Sequence, residues 1–148
     1  MRTETWGWQT LILFYWSGPS GLELLSFTGP GSLREGSQAW VELTCTFSYT
    51  DEDFSQLDIK WYHGREEEPF LIWIPSISST QVRNERLQST ISVRNTSAIR
   101  DGENGHLVGH IVHFRQPSHI ISGLYTCRVA TFLQEFSLHH NMIVYGES

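Results

Sequence analysis

The sequence predicts an all-β domain, a sandwich or barrel of short antiparallel strands, and three observations support this class. Apolar residues alternate with polar ones over short runs, as expected when successive side chains of a strand point to opposite faces. Turn residues separate these runs, and roughly seven or eight strands can be recognised in this way. No segment of ten or more residues shows helical periodicity. With 148 residues, the chain is long enough for one compact domain and too short for two of ordinary size.

Residues 39–49 show the strand pattern most clearly. Val41 and Cys45 fall on one face while glutamate and threonine fall on the other, so this strand is expected to be half-buried. Residues 76–80 are serine-rich and residues 95–105 are polar, and both segments are expected to be loops. The expected strands are residues 39–49, 57–63, 69–75, 87–94, 106–114, 123–130 and 139–145.

The N-terminal segment has the pattern of a secretory signal. Arg2 gives a weakly positive start, residues 6–16 are mostly apolar, and small residues follow up to Gly21. This run is shorter than the roughly 20 residues that span a bilayer, and no later segment is long and apolar enough to do so. We expect a signal peptide at residues 1–20, a domain at residues 21–148 and no direct membrane insertion. The alternative for the first segment is a buried strand or helix of the domain.

The charge balance and the cysteine count limit the partners and cofactors of the chain. There are 10 Lys+Arg and 16 Asp+Glu, a net charge of −6, and no basic run, so nucleic-acid binding is not expected. Cys45 and Cys127, without a nearby CxxC, cannot form a four-ligand zinc site of the usual pattern. They are either free core thiols in a cytosolic protein or one disulfide in a secreted protein.

Three features in a fixed order bear on these alternatives. Cys45 lies on one strand, Trp61 on the next, and Tyr125 two residues before Cys127. This is the immunoglobulin arrangement, in which a disulfide joins the facing sheets and the tryptophan packs against it, while the tyrosine hydroxyl bonds to backbone upstream. The long interval between the cysteines favours the variable (V) type. We expect an immunoglobulin V-type sandwich of two antiparallel sheets with one inter-sheet disulfide, Cys45–Cys127, and with Trp61 and Tyr125 in its core.

Residues 69–75 (PFLIWIP) are unusual because five apolar residues follow one another between two prolines. In a V-type fold this segment is strand C′, beside strands C, F and G, and its outward face would be apolar. Either the odd-numbered or the even-numbered positions of residues 70–74 face outward. Soluble domains avoid large exposed apolar patches, so this face is expected to bind another protein, unless another segment of the chain covers it. The candidate partner-binding residues are Lys60, Tyr62, Phe70, Ile72, Trp73, Phe132 and Phe136.

Residues 43–145 resemble variable-type domains of the immunoglobulin superfamily and, among these, are similar to the arthropod beaten-path proteins. The similarity comprises W-Y at Trp61-Tyr62, F-x-x-x-x-P from Phe70 to Pro75, S-G-x-Y-x-C from Ser122 to Cys127, an aromatic at Phe136 and M-x-V from Met142 to Val144. The resemblance implies neuronal adhesion or axon guidance through the GFCC′ face, with another cell-surface immunoglobulin-type domain or a second copy as partner. It also implies a secreted protein or one on the extracellular face of the plasma membrane. Arg128 departs from the acidic residue common in that family, and Ile121 replaces an aspartate common in variable domains.

Two further patterns concern modification and metal binding. Asn95-Thr96-Ser97 is an acceptor sequence for N-linked glycosylation, and its position at a predicted strand-to-loop edge favours access; the alternative is an unmodified loop asparagine. His106, His110 and His113 have a spacing that would hold a metal on a helix. On a strand, His110 and His113 point to opposite faces, so no metal site is expected.

The remaining residues do not suggest catalysis. The chain has no G-x-S-x-G elbow, and the acids at residues 51–53 and 66–68 are expected in solvated turns. We therefore predict a binding module without enzymatic activity, metal or cofactor. The alternatives are a soluble immune or pattern-binding factor that uses its loop ends, and an accessory structural module without a partner of its own.

Overall fold

The computed structural model describes residues 21–99 and 105–146, which form two facing β-sheets. The predicted signal peptide, residues 1–20, lies outside the described residues. The strands of the described part are β1 (Glu23–Thr28), β2 (Ser32–Arg34), β3 (Trp40–Thr50), β4 (Asp58–His63), β5 (Leu71–Ile74), β6 (Ser79–Val82), β7 (Ile91–Ile99), β8 (Gly105–Arg115), β9 (Gly123–Ala130) and β10 (Glu135–Tyr145). A one-turn helix, α1 (Glu85–Gln88), and three 3-10 turns (Asp51–Gln56, Pro75–Ile77 and His119–Ile121) connect them. Among these residues, no helix has the length and apolar character needed to cross a membrane.

The strand order places four strands in one sheet and six in the other. The first sheet has the order β1-β3-β8-β7, and the second has the order β2-β10-β9-β4-β5-β6. Neighbouring strands are antiparallel except β2 and β10, which are parallel. One face of each sheet packs against the other sheet, so each sheet also has an outer face.

A disulfide and large aromatic side chains hold the two sheets together. Cys45 on β3 and Cys127 on β9 are bonded, with their Cα atoms 6.4 Å apart, and both are fully buried. Trp61 is also fully buried, and Phe27 meets its ring edge-on at 5.0 Å. Tyr125 donates its hydroxyl hydrogen to the backbone oxygen four residues upstream. The predicted two-sheet fold and its inter-sheet disulfide are confirmed.

Several elements differ from the sequence-based expectation. Residues 95–105 were expected to be a loop, but β7 continues to Ile99 because β8 supplies hydrogen-bond partners for its polar residues. Residues 76–80 were also expected to be a loop, but β6 begins at Ser79 and pairs with β5. The strands β1 and β2 and the helix α1 were not predicted. A register shift between Leu24 and Ser26 interrupts the alternation of β1, and β2 and α1 are too short for their periodicity to be clear. Residues 87 and 88 were expected to begin a strand but lie in α1, and β7 begins at Ile91.

Candidate interaction face

The pairing of β5 with β4 decides which apolar side chains of β5 face the surface. Trp61 lies opposite Leu71 and Ile59 lies opposite Trp73, and both β4 residues are fully buried. Because opposite residues of paired strands share a face, Leu71 and Trp73 point into the sandwich. Ile72, between them, points outward and is half-buried.

Phe70 and Trp73 do not lie on the exposed face, contrary to the expectation that they bind a partner. The side chain of Phe70 is 1% exposed, and its ring meets the rings of Trp61 and Tyr125 edge-on. The backbone N–H of Phe70 donates to the oxygen of Trp61, which turns this residue inward just before β5 begins. Trp73 is partly buried and packs on the core beside Phe47. Both residues therefore stabilise the fold from within.

A buried histidine lies between the sheets next to β5. The indole N–H of Trp61 donates to Nδ1 of His110 at 2.9 Å, so the imidazole proton is on Nε2. His110 is fully buried, and its Nε2 has no hydrogen-bond partner among the described residues. Burial lowers the pKa of His110 from 6.5 to about 3, so the ring is neutral at pH 7. This role was not predicted from the sequence; the available signal was that Val108 and Val112 alternate with the histidine on the inner face of β8.

The outer face of the six-stranded sheet is mixed rather than apolar. Its central positions are Asp58, Lys60 and Tyr62 on β4, Ile72 and Ile74 on β5, Thr126, Arg128 and Ala130 on β9, and Glu135, Ser137 and His139 on β10, and we call this set the outer face. The two isoleucines are half-buried. The prediction that this face would be apolar is therefore wrong, because three of the five apolar residues between the two prolines point inward.

Arg128 is the central charge of the outer face. Its guanidinium donates to the Tyr62 hydroxyl at 3.2 Å. The Nε atom of Arg128 lies 2.7 Å from Oε1 of Glu135, so the two side chains form an ion pair. The Nε–H of Arg128 does not point at that oxygen and makes no hydrogen bond to it. Burial alone would lower the pKa of Arg128, but the Tyr62 and Glu135 contacts raise it above its ordinary value. Lys60, directly opposite Arg128 in the sheet, lies 3.6 Å from the Asp58 carboxylate. The outer face thus carries ordered charges of both signs.

Comparison with known proteins identifies the architecture. No protein-family model and no curated protein matches the sequence. Among solved structures, the human B7-H4 IgV-like domain is similar, with a TM-score of 0.55, 14% sequence identity, and coverage of 86% of this chain and 98% of that chain. The fold is an immunoglobulin V-type sandwich. The resemblance to beaten-path proteins stays a prediction.

In this V-type fold, β4, β5, β9 and β10 are strands C, C′, F and G, so the outer face is the GFCC′ face. The lysine and tyrosine predicted to bind a partner, Lys60 and Tyr62, lie on it together with Ile72. Phe132 lies apart, at the tip of the F–G turn, and is 83% exposed. Phe136 lies opposite buried Val129, on the inward register of strand G, and is 38% exposed where that strand extends past the core.

The other candidate residues lie on the four-stranded sheet. Asn95 is exposed on the edge strand β7, so its side chain is accessible although it lies on a strand and not in the predicted loop. The three histidines of β8 do not converge: His106 contacts Asp51, His113 lies 3.6 Å from Glu42, and His110 is in the core. No group of three potential metal ligands occurs within the residues that the structure describes.

Proposed function

We propose that this V-type domain is a protein-recognition module that binds another immunoglobulin-type domain, or a second copy of itself, through the outer face. Immunoglobulin sandwiches are common among cell-surface domains. The observation that carries the proposal is the pair of Arg128 and Tyr62 at the centre of the outer face. Arginine and tyrosine are, with tryptophan, the residue types enriched among the side chains that anchor interfaces. Their mutual hydrogen bond orders both side chains before a partner arrives, which lowers the entropic cost of binding.

The charge pattern of the outer face defines the partner surface that fits it. Arg128 and Lys60 lie in one row across the sheet, and Asp58 and Glu135 lie in the next row, on either side of Ala130. A flat sheet face with both signs of charge in adjacent rows is complementary to this pattern, and one with a single sign is not. Another immunoglobulin-type domain provides such a flat face.

The disulfide supports a location outside the cytosol. Disulfides such as Cys45–Cys127 persist in oxidising compartments, so we propose that the protein is secreted or held on the extracellular face of the plasma membrane. A glycan on Asn95 would fit this location, since β7 lies in the sheet that does not carry the outer face. Neuronal adhesion or axon guidance, implied by the beaten-path resemblance, is the narrowest form of the proposal.

A binding screen against a panel of cell-surface immunoglobulin ectodomains tests the proposal. We expect at least one ectodomain, or the chain itself in sedimentation experiments, to bind the native protein, and Arg128→Ala and Tyr62→Ala to weaken that binding by about tenfold or more. Arg94→Ala is the matched control, because Arg94 pairs with Glu42 on the four-stranded sheet. Binding that survives both outer-face variants, or that falls equally with the control, would contradict the proposal.

A further inference from the structure

Four strands of the described part of the chain lie at the edges of the two sheets: β1, β2, β6 and β7. An exposed edge can pair with a strand of another molecule, and proteins prevent this with short strands, bulges, prolines or lysines. β2 has three residues and β6 has four, and a register shift between Leu24 and Ser26 interrupts β1. In contrast, β7 has nine residues, pairs with β8 without a register shift, and contains neither proline nor lysine. The edge of β7 therefore lacks these forms of protection.

The free side of β7 is open to backbone pairing. Among the residues that the structure describes, β8 is the one strand that pairs with β7, and the four-stranded sheet ends there. Residues 94–98 are exposed one after another. Every second residue of an edge strand directs its backbone N–H and C=O groups away from the sheet, where water or a further strand can bond to them. A second strand of the same length would satisfy these groups along all of β7.

One antiparallel register pairs all nine residues of β7 with the same strand of a second copy. Since β7 covers residues 91–99, this register is symmetric about Asn95. It places Arg94, the one charged residue of β7, opposite Thr96 of the other copy, so no like charges face each other along the strand. A register symmetric about Arg94 would place two guanidinium groups opposite each other, which is unfavourable. Strand length and charge therefore favour the same register.

The predicted glycan acceptor lies at the centre of this register. Asn95 pairs with buried His110, so its side chain leaves the sheet on the inner side, yet it is exposed because β7 lies at the edge of the sandwich. Residues directly opposite each other in an antiparallel pair have Cβ atoms about 4.5–5.5 Å apart. Two bulky glycans cannot fit at this separation. A glycan on Asn95 would therefore protect the edge of β7.

We propose that an N-glycan on Asn95 keeps this edge unpaired, and that β7 of a chain without the glycan pairs with β7 of a second copy. The two four-stranded sheets then form one continuous sheet. A second copy is the most suitable occupant, because it supplies a strand of equal length whose charges fit the register. The inference rests on glycosylation of Asn95 and is independent of binding through the outer face, which belongs to the other sheet.

Variants of the chain secreted from eukaryotic cells test the inference. Mass spectrometry measures glycan occupancy at Asn95, and sedimentation velocity measures the mass in solution. Every variant carries Arg128→Ala as well, so that association through the outer face is removed. We expect the glycosylated chain to be monomeric, while Asn95→Gln and Ser97→Ala, which each remove the acceptor sequence, should raise the mass to twice that of the monomer. Asn95→Lys also removes the glycan but places two ammonium groups opposite each other, so this variant should stay monomeric.

A mixture of two charge variants tests the register. Asn95→Lys and Asn95→Asp are each expected to be monomeric and to form a heterodimer when mixed, because opposite charges then meet at the centre of the paired strands. Asn141→Lys, added to Asn95→Gln, is the matched control; Asn141 is exposed on β10, so the dimer should persist.

A synthetic peptide of residues 91–99 tests the choice of occupant. It should compete with dimer formation by Asn95→Gln, while a scrambled peptide of the same composition should not. Equal competition by the scrambled peptide would assign the edge to strands of any sequence and would overturn the inference. A monomeric Asn95→Gln chain, a dimeric Asn95→Lys chain, or a secreted native chain without a glycan on Asn95 would overturn it as well.

Discussion

The indole ring of Trp73 lies flat on the imidazole ring of His110, with ring centroids 4.6 Å apart and an angle of 16° between the planes. Trp61 contacts the same imidazole through the hydrogen bond to Nδ1. A neutral histidine on the four-stranded sheet therefore links strands C and C′ of the other sheet. The inner side of strand C′ thus depends on the protonation state of one ring, and its outer side contributes Ile72 to the outer face.

Acidification is expected to destabilise the domain through His110. The folded state lowers the pKa of His110 from 6.5 to about 3, so the unfolded state binds a proton first as the pH falls. The stability that depends on neutral His110 is complete above pH 6.5 and is lost progressively between pH 6.5 and about 3, with a limiting slope of about 1.4 kcal/mol per pH unit. Chemical denaturation at a series of pH values, followed by tryptophan fluorescence, measures this slope.

His110→Phe is the control for the pH effect. The variant keeps an aromatic ring against Trp73 but leaves the Trp61 N–H without its acceptor, which costs about 1–3 kcal/mol at neutral pH. Below pH 6.5 its free energy of unfolding should fall less steeply than that of the native chain. Equal slopes in both proteins would show that other groups carry the acid dependence.

Trp73 and Ile72, adjacent on strand C′, are expected to respond differently to substitution. Trp73→Ala removes a ring packed on His110 and Phe47 and should lower the free energy of unfolding by about 3 kcal/mol. Ile72→Ala, on the outer face, should cost about 1 kcal/mol or less because its side chain is only half-buried. Urea denaturation of both variants measures the difference, and similar losses would argue against the inward position of Trp73.

The orientation of strand C′ could not be predicted from the sequence for a physical reason. Alternation identifies the inner face of β3, where apolar and polar residues alternate, but residues 70–74 are apolar at every position. The pairing of Trp73 with Ile59 decides the orientation, and this contact depends on tertiary structure. Although residues 70–74 are apolar at both odd and even positions, they do not form a large exposed apolar patch. One reason is that Phe70 turns inward before the strand begins.

Features that depend on residue type and order could be predicted, and features that depend on neighbouring strands could not. Cys45, Trp61 and Cys127 indicated the sandwich and its disulfide, since few other folds require these types in this order. The polar residues of β7 resemble a loop because this edge strand is exposed along most of its length. The alternation of His110 with Val108 and Val112 is a local signal of its inward position, but its hydrogen bond could not be predicted, since the donor Trp61 lies 49 residues away.

Tyr125→Phe is expected to lower the free energy of unfolding by about 1–2 kcal/mol. The hydroxyl of Tyr125 is buried and donates to the backbone oxygen of Ile121, so its removal leaves a buried carbonyl without this donor. Burial also raises the pKa of Tyr125, so the hydroxyl stays protonated and able to donate at any pH used in such an experiment. Urea denaturation measures the loss. Tyr145→Phe is the matched control, since Tyr145 is 50% exposed, and an equal effect of both changes would contradict this role.

The disulfide is expected to provide a large share of the stability. It joins residues 82 positions apart, and closing a loop of this length contributes about 4–5 kcal/mol in the chain-entropy model. Domains of this size are stable by about 5–15 kcal/mol in total, so Cys45→Ala combined with Cys127→Ala should leave a marginally stable fold. Both sulfurs are fully buried, so a thiol reductant should cleave the bond only in denaturant, which thiol alkylation and mass spectrometry can follow. Rapid reduction of the native protein would contradict the buried position of the bond.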